Sequence, residues 1–356
     1  MATPLYLDAN ASEPLRPEAR AAVLVALDAL GNPSSVHAAG RAARRLLEAA
    51  RTTVAELFAA RPQDVVFTSG GTEANALAIA GLGRGRRILA GATEHPAILR
   101  AAPGATRLPV HPDGTLDLAA LEAALSAAGP ALVCLMAANN ETGVLHPIAE
   151  AAAICRRHGA LLHLDAVQAA GRVPMDASHA DSLALSGHKM GGPKGAGALV
   201  LRPGIDPTPL IAGGGQERGR RGGTEPLPAI AGLAAAARAA MAQDTARLAR
   251  LRDAIEARIA ALNPATRFPG ATAPRLPNTS CILTPGRPAE TQVIALDLAG
   301  VQVSAGAACS SGKVAASHVL AAMGLDEAEA GCAIRVSLPW NAPEDAAERF
   351  VAAWRR

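Results

Sequence analysis

The chain has 356 residues, of which 50% are apolar and only 2% aromatic, and a formal net charge of +3 at pH 7. This length predicts two domains with a large core, and the small, interspersed charge argues against nucleic-acid binding. Because the sequence has neither a leader-like basic and apolar start nor a run of about 18 uncharged apolar residues, we expect no export, no membrane span and a cytoplasmic location.

Strand-like and helical segments alternate as far as Leu201. In order, they are an extended segment from Tyr6 to Ser12, helices Glu18 to Leu30 and Ala38 to Ala59, strand Val65 to Thr68, a helix from about Ala74, strands Ile88 to Gly91 and Arg107 to Val110, helix Asp117 to Ala127, strand Ala131 to Met136, helix Ile148 to Arg157, and strands Leu161 to Asp165, Asp181 to Leu185 and Gly197 to Leu201. This alternation predicts a mainly parallel, doubly wound α/β sheet, in which ligands bind at the carboxyl ends of the strands. The polar residues predicted at that edge are His95, Asn140, Asp165, Gln168 and Lys189.

The rest of the chain predicts a glycine-rich arm and a smaller α+β unit. The arm, Gly213 to Thr224, has too few apolar residues to pack on itself, so a disordered linker is one interpretation. A single alanine-rich helix from Ala229 to about Leu262 is expected to lead into the second unit. That unit is predicted to contain strands Ser280 to Leu283, Val301 to Ser304 and Ala333 to Leu338, and helices Ser317 to Met323 and Pro343 to Trp354. We predict a large domain over 14–245 and a small domain formed by 1–13 and 246–356.

The turn after Thr68 has the pattern of an anion site. Ser69 and Gly70 leave the strand, and Gly71 and Thr72 lead into the following helix. Free N–H groups and the helix dipole point the same way at such a helix start, although an ordinary βα turn has the same pattern.

Lysine is scarce, and the chain contains only Lys189, Lys194 and Lys313. A residue that forms a Schiff base must be an amine that can lose its proton, which excludes arginine. Lys189 ends the motif Ser186-Gly-His-Lys189, after a predicted strand and before a glycine-rich turn. On its own, this position also fits a surface lysine in a hairpin.

Asp165, Lys189 and the anion turn at one sheet edge suggest a site for pyridoxal 5'-phosphate. An ionised Asp165 would keep the ring nitrogen of the cofactor protonated, and Lys189 would bind its aldehyde. Thr72, Ser186 and His188 would donate hydrogen bonds to its phosphate. Singly, Asp165 also fits a helix N-cap and His188 a turn histidine, but the joint arrangement is hard to obtain by chance. We expect no metal, because the five cysteines include no C-x-x-C pair; they also fit a reducing compartment.

Several segments resemble one family. They are Tyr6-Leu-Asp-Ala-Asn10, Thr68-Ser-Gly-Gly-Thr-Glu-Ala-Asn75, Thr93-Glu-His95, Asn139-Asn-Glu-Thr-Gly143, His163-Leu-Asp-Ala-Val-Gln168, Ser186-Gly-His-Lys189, Gly192-Pro-Lys-Gly195, Glu217 to Thr224, Pro277-Asn-Thr279, Ala308-Cys-Ser310 and Ile334-Arg-Val-Ser337. Together they resemble the cysteine desulfurases of the class V pyridoxal-phosphate-dependent aminotransferase family, of the bacterial iron–sulfur assembly type. The resemblance covers nearly the whole chain and implies fold type I, a homodimer and a sulfur-acceptor protein such as an iron–sulfur scaffold.

The resemblance also implies conversion of L-cysteine to L-alanine, with the sulfur passed to an enzyme cysteine as a persulfide. The implied roles are Schiff-base lysine for Lys189, partner of the ring nitrogen for Asp165, donors near the phenolic oxygen for Asn140 and Gln168, and ring stacking with acid or base catalysis for His95. Arg335 and Asn140 would bind the substrate, and Arg335 would bind its carboxylate, for which a bidentate arginine is well suited. Thr224 would donate to the cofactor phosphate of the other protomer.

Cys309 differs from the other cysteines. Cys134, Cys155 and Cys281 lie in apolar strand or helix patterns and Cys332 borders a predicted buried strand, whereas Cys309 is surrounded by Gly, Ala and Ser. This surrounding resembles the subgroup with a long catalytic loop and implies that Cys309 is the nucleophile that receives sulfur.

Two positions depart from the family pattern, Gly191 where many members have tyrosine and Gln216 where many have histidine. The sequence stops at Arg356, where relatives that dock a scaffold often continue, so scaffold docking is left open. The alternatives are a selenocysteine lyase or another class V aminotransferase-like enzyme, and a catalytically idle scaffold-binding member.

Overall fold

A computed structural model describes residues 4–306 and 317–355. Its strands are β1 (Leu5–Tyr6), β2 (Val65–Thr68), β3 (Arg87–Gly91), β4 (Thr106–Leu108), β5 (Ala131–Met136), β6 (Leu161–Asp165), β7 (Ser182–Ser186), β8 (Gly197–Leu201), β9 (Thr279–Leu283), β10 (Val301–Gln302), β11 (Ser304–Ala305) and β12 (Ala333–Ser337). Its α-helices are α1 (Pro17–Leu27), α2 (Ala38–Glu56), α3 (Gly71–Leu82), α4 (Pro96–Leu99), α5 (Leu118–Leu125), α6 (Ile148–Arg157), α7 (Leu227–Met241), α8 (Thr245–Leu262), α9 (Ala289–Leu298), α10 (His318–Ala322), α11 (Glu327–Ala330) and α12 (Ala346–Trp354). Cys309 lies outside the described residues.

A seven-stranded sheet forms the centre of the larger lobe, in the order β2-β8-β7-β6-β5-β3-β4. Only β8 runs antiparallel to its neighbours, and the other adjacent pairs are parallel. Strands β2, β5, β7 and β8 are buried along their whole length, as expected for a sheet covered by helices on both faces. The predicted mainly parallel, doubly wound fold is therefore confirmed.

Alternate side chains of β2 show how the two faces are filled. Val65 and Phe67 belong to the core beneath α1, α2 and α7, while Val66 packs with Ala74 and Leu77 of α3 on the opposite face. Successive side chains of a strand point to opposite faces, which explains this division. In the absence of many aromatic residues, the core is built largely from alanine and aliphatic side chains.

The smaller lobe has its own core, to which the start of the chain contributes. β11, β12 and β9 form an antiparallel sheet, and β1 pairs in parallel with β10. Leu5 and Leu7 pack in a cluster with residues of α8 and α12, including Ile255 and Phe350. The division at 13/14 and 245/246 stays a prediction. Within the described residues, no helix has both the length and the apolarity needed to cross a membrane.

Two predicted elements are wrong. The single helix from Ala229 to Leu262 is two helices, α7 and α8, because Asp244 caps α8 by accepting the N–H groups of Ala246 at 3.0 Å and Arg247 at 3.3 Å. The strand predicted from Val301 to Ser304 is divided between β10 and β11, which belong to different sheets. Composition favoured continuous elements in both places, whereas capping and tertiary pairing interrupt them.

The glycine-rich arm is tied to the large lobe by ion pairs, so its interpretation as a disordered linker is wrong. Glu217 accepts hydrogen bonds from Arg51 Nη1 at 2.6 Å and Nη2 at 2.8 Å, and from the Phe67 N–H at 2.8 Å. The Glu217 side chain is 1% exposed and that of Arg51 5%. A second pair joins Arg221 to Glu73 at 2.8 Å.

The first prediction concerns the buried Arg51–Glu217 pair. Glu217→Ala leaves the buried Arg51 guanidinium with only the partly exposed Glu48, at 3.3 Å, as a counter-charge, so we expect the free energy of unfolding to fall by about 3 kcal/mol. Denaturant titration followed by circular dichroism measures this change. As a control, Glu348→Ala breaks the exposed pair with Arg258 and should change stability by less than about 1 kcal/mol. Equal effects of the two substitutions would contradict the prediction.

Candidate active site

Residues that follow five strands of the large sheet line one cavity. The loops after β2, β3, β5, β6 and β7 meet there, because the carboxyl ends of these strands share one edge of the sheet. The cavity contains about 610 Å³ of empty space, including its opening to solvent. The predicted site residues that line it are Gly71, Thr72, His95, Asn140, Asp165, Gln168, Ser186, His188 and Lys189.

Lys189 presents its amine to this cavity and is held by the start of the chain. Its Nζ donates hydrogen bonds to the carbonyl oxygens of Asn10, at 2.5 Å, and Ala11, at 2.9 Å. Burial lowers the pKa of Lys189 to about 7, and the positive charges of Arg335 and Arg172 contribute to the decrease. A substantial fraction of the amine is therefore unprotonated at neutral pH, as attack on a carbonyl requires.

Asp165 is the first member of a buried chain of hydrogen bonds that ends at Ser182. Its two carboxylate oxygens accept from Asn75 Nδ2 at 2.7 Å and from the Val167 N–H at 2.9 Å. Asn75 Oδ1 lies 2.9 Å from His163 Nε2, and His163 Nδ1 lies 2.8 Å from Ser182 Oγ. Since Asn75 donates to Asp165, its Oδ1 must accept from His163, which fixes the direction of the whole chain.

The surroundings of Asp165 act on its protonation in opposite directions. Burial raises the pKa of this carboxyl group, while the hydrogen bonds from Val167 and Asn75 and the nearby His95 and Lys189 favour the ionised form. A cationic N–H group in the cavity would stabilise the carboxylate further. The residue is thus suited to pair with a protonated ring nitrogen.

His95 is the N-cap of the short helix α4, and its hydrogen bond determines which ring nitrogen is free. Its Nδ1 accepts the Ala97 N–H at 3.1 Å. Desolvation lowers the pKa of the imidazole, with a further decrease from the charge of Lys189. The neutral ring therefore carries its proton on Nε2, which can donate it within the cavity.

The start of α3 and the loop after β7 provide donors for an anion. The first N–H groups of a helix have no acceptor within that helix, and here they belong to Gly71 and its neighbours. A Cβ at Gly71 would lie 2.5 Å from Cγ2 of Val167, so only glycine allows α3 to approach the loop that follows Asp165. Burial lowers the pKa of His188 to about 4, so its imidazole is neutral and can donate from one nitrogen.

Arg335 does not line the cavity but contacts a residue that does. Its Nη1 donates to the Asn140 carbonyl oxygen at 3.1 Å and its Nη2 to Asp8 Oδ1 at 2.7 Å. Its buried Nε has no acceptor among the described residues. Thr224 is exposed and does not line this cavity, whereas Cys309, in the stretch 307–316, lies beyond the part that the structure describes.

Several residues for which the sequence predicts no role hold the site together. Asn10 accepts from Lys189 and, at 3.0 Å, from Gln168 Nε2, and its own Nδ2 donates to the Asn140 carbonyl oxygen at 3.0 Å. Glu141, whose pKa burial raises to about 7, accepts from Ser317 Oγ at 2.6 Å. The segments of Asn10, Asn75 and Glu141 were recognised as family-like, but a motif does not identify the contacts of each side chain.

Of the four cysteines that the structure describes, three are buried and the fourth, Cys332, forms a hydrogen bond within its own segment. Burial raises the pKa of the thiols of Cys134 and Cys281, and that of Cys155 to about 12. Cys332 is half-buried and donates to the Ala328 carbonyl oxygen at 3.4 Å. No group of three His, Cys, Asp or Glu side chains in residues 4–306 and 317–355 could hold a metal ion.

Comparisons with known proteins give one consistent result. The family model for aminotransferase class V matches residues 5–350. A cysteine desulfurase of Cereibacter sphaeroides is 47% identical over 94% of this chain and 90% of its own length, and an IscS-like cysteine desulfurase of Mycobacterium tuberculosis is 39% identical over 94% and 91%. The solved NifS-like protein of Rickettsia africae superimposes with a TM-score of 0.92 at 34% identity, over 99% of this chain and 98% of that one. SspA, solved in complex with cysteine, gives 0.82 at 30% identity, over 94% and 99%.

The second prediction concerns the pKa of Lys189. A lowered pKa means that the reactive neutral amine forms at lower pH than the usual value of about 10.4 allows. Acylation of Lys189 in protein freed of bound cofactor should therefore rise with pH with a midpoint near 7, as measured by quantitative peptide mass spectrometry. Arg335→Gln removes a nearby positive charge and should move this midpoint upward. A midpoint above about 9 in the unsubstituted protein would contradict the assigned environment.

Proposed function

The chain belongs to the aminotransferase class V family, and on that premise we propose that it is a cysteine desulfurase. The reaction converts L-cysteine to L-alanine and transfers the sulfur to Cys309. The proposal rests on one observation. The Lys189 amine, which has a pKa of about 7 and can therefore lose its proton, lines the same cavity as Asp165 and the start of α3. The relatives named cysteine desulfurase extend over nearly the whole chain, so a selenocysteine lyase, a different aminotransferase-like activity or an idle scaffold-binding member is not favoured.

Pyridoxal 5'-phosphate fits the donors of this cavity. Its phosphate matches the α3 start with Gly71 and Thr72, together with Ser186 and His188. Its aldehyde matches the Lys189 amine, and its ring nitrogen matches Asp165. When bound, the cofactor supplies an electron sink for negative charge that develops at the substrate Cα. Asn140, Gln168 and His95 complete the set that we propose around the ring.

Lys189 and His95 are the groups that we propose for proton movement. The Lys189 amine, with a pKa of about 7, can accept a proton at Nζ and return it near neutral pH. His95 has Nδ1 engaged by the Ala97 N–H, so its Nε2 is the nitrogen that can deliver a proton. In the same cavity, Lys189 can therefore both accept and return a proton, whereas neutral His95 can donate one from Nε2.

Arg335 is the residue that we propose for the substrate carboxylate. It is 4% exposed, and its unpaired Nε is a free, buried donor. A buried donor without an acceptor is unfavourable, and a ligand carboxylate would satisfy it. The contact of Arg335 with the Asn140 carbonyl oxygen connects this position to the cavity wall.

Cys309 is the sulfur acceptor in this proposal. Its thiolate forms a sulfur–sulfur bond to the substrate while the Cβ–S bond of the substrate breaks and its electron pair remains on carbon. A proton then added at Cβ completes alanine, and the enzyme retains a persulfide. The raised pKa of the buried Cys134, Cys155 and Cys281 thiols argues against these residues as nucleophiles. An iron–sulfur scaffold protein in the cytoplasm is the acceptor class that we propose for the next transfer.

We also propose a homodimer, in which Thr224 reaches the cofactor phosphate of the other protomer. Thr224 is exposed and is not among the residues that line its own cavity, while ion pairs fix the arm that carries it. Large apolar side chains on α1 and in the segment after it are exposed, namely Leu24, Val25, Leu27, Leu30 and Val36. Exposed apolar residues grouped in this way are typical of a protein interface.

The third prediction concerns this assembly. The protein should elute with twice the chain mass of 35.9 kDa in size-exclusion chromatography with light scattering. The double substitution Val25→Glu and Leu27→Glu places charges in the proposed interface and should shift the protein toward the monomer, with weaker cofactor retention. Leu298→Glu, at a leucine of α9 that is even more exposed (84%), serves as the control and should remain dimeric. A fully active monomer would refute the shared site.

The fourth prediction tests the desulfurase reaction. Because cofactor binding requires Lys189, Asp165 and the α3 start but not the thiol, Cys309→Ser should keep the absorbance of the bound cofactor and its spectral response to cysteine. It should form almost no alanine or sulfide. Serine at Cys134, Cys155, Cys281 or Cys332 should retain turnover. Alkylation after one turnover, followed by peptide mass spectrometry, should locate the added sulfur on Cys309. Sulfur on another cysteine, or full turnover of Cys309→Ser, would exclude the proposed reaction.

A further inference from the structure

We propose that Asp8 is a binding-site residue that keeps amino-acid affinity low by sharing the guanidinium of Arg335 with the substrate carboxylate. The proposal rests on the proposed function, in which Arg335 binds that carboxylate. In this proposal, Asp8 lowers the affinity for the substrate carboxylate in addition to forming an ion pair with Arg335. The consequence would be rapid release of the product alanine, which has the same carboxylate as the substrate.

The guanidinium of Arg335 is partly occupied before any ligand arrives. Asp8 Oδ1 accepts from Nη2 at 2.7 Å, and the Asn140 carbonyl oxygen accepts from Nη1 at 3.1 Å. Guanidinium has five N–H donors, so three remain, among them the buried Nε–H that has no acceptor in the described part of the chain. A ligand carboxylate can therefore bind the edge that Asp8 leaves open.

Asp8 is held in position by its backbone. It forms a parallel bridge to Ser337, with the Ala9 N–H donating to the Ser337 carbonyl oxygen at 3.0 Å and the Ser337 N–H donating to the Leu7 carbonyl oxygen at 2.9 Å. The Tyr6 hydroxyl, which has one hydrogen to donate, lies between the carbonyl oxygens of Ser12, at 2.7 Å, and Asp8, at 3.0 Å. Since Ser337 and Arg335 belong to the same strand, β12, the pair is built into the small lobe and a ligand must bind with Asp8 still present.

Two carboxylates on one guanidinium repel each other. The Arg335 side chain is 5% exposed and that of Asp8 19%, so water screens this repulsion only in part. The repulsion weakens cysteine and alanine alike, because both present the same carboxylate. Uniform weakening raises KM but does not by itself slow the chemical step, and it accelerates product departure.

Asp8→Asn tests the negative charge of Asp8 apart from its hydrogen bond to Arg335. The amide oxygen can still accept from Nη2, while the negative charge is removed. We expect alanine to bind at least about tenfold more tightly, equivalent to about 1.4 kcal/mol, both as a product inhibitor and in calorimetric titration of the holoenzyme. KM for cysteine should fall in parallel. Asp8→Glu retains the charge and should keep alanine affinity within about threefold of the parent enzyme, a small difference in free energy.

Cysteamine distinguishes a carboxylate effect from a structural one. It has the amine and thiol of cysteine but no carboxylate, so its affinity should be equal in the parent enzyme and in Asp8→Asn. Asp253→Asn is the matched control, because it removes the charge of an exposed aspartate that pairs with Arg252 at 2.7 Å on α8, and it should change neither affinity. Unchanged or weaker alanine binding in Asp8→Asn, or an equal gain for cysteamine, would overturn the proposal.

Two further measurements separate this proposal from the proposed function. If the parent enzyme forms no alanine from cysteine, the desulfurase assignment fails. If Arg335→Ala binds alanine as tightly as the parent enzyme, the carboxylate assignment fails, and with it the premise for Asp8. If both hold and Asp8→Asn still shows no gain, only the role of Asp8 is refuted.

Discussion

The site depends on the partial removal of one amine from water. Burial of Lys189, together with the positive charges of Arg335 and Arg172, outweighs the nearby carboxylates of Asp8 and Asp165, and its pKa falls to about 7. Two backbone carbonyl oxygens receive its hydrogen bonds, and carbonyl dipoles stabilise the ammonium less than a carboxylate would. The hydrogen bonds therefore hold the amine in position, but they do not keep it protonated.

The start of the chain supplies this environment and joins the two lobes. Leu5 and Leu7 are part of the core of the small lobe, while Asn10, a few residues later, contacts Lys189, Gln168 and Asn140 in the large one. Its amide is also hydrogen bonded to Thr279 at 2.9 Å. The cavity and the Arg335 region are consequently aligned by a short segment that belongs to both cores.

The scarcity of lysine also affects how charge is buried. The chain pairs buried arginines with carboxylates, as in Arg51 with Glu217 and Arg275 with Glu256. Arginine presents several donors in a planar fork, so it can satisfy a carboxylate and backbone oxygens together. Such pairs add little net stability over apolar residues, but the loss of one partner is costly. The first pair fixes the arm, and the second fixes the segment before β9 to α8.

The sequence by itself determined the sheet and the residues at its edge, because alternating apolar strands and helices allow few topologies and the carboxyl ends of parallel strands must meet. The motif around Lys189 and the similarity of the segments indicated the cofactor and the reaction. The break between α7 and α8 was missed, because a single capping residue overrides helix propensity. Only the tertiary structure decided that Asp8 meets Arg335, that Asn75 connects Asp165 to His163, and that the Lys189 pKa is lowered. These properties arise from contacts between residues far apart in the chain, and from the exclusion of water by the packed lobes, neither of which local sequence encodes.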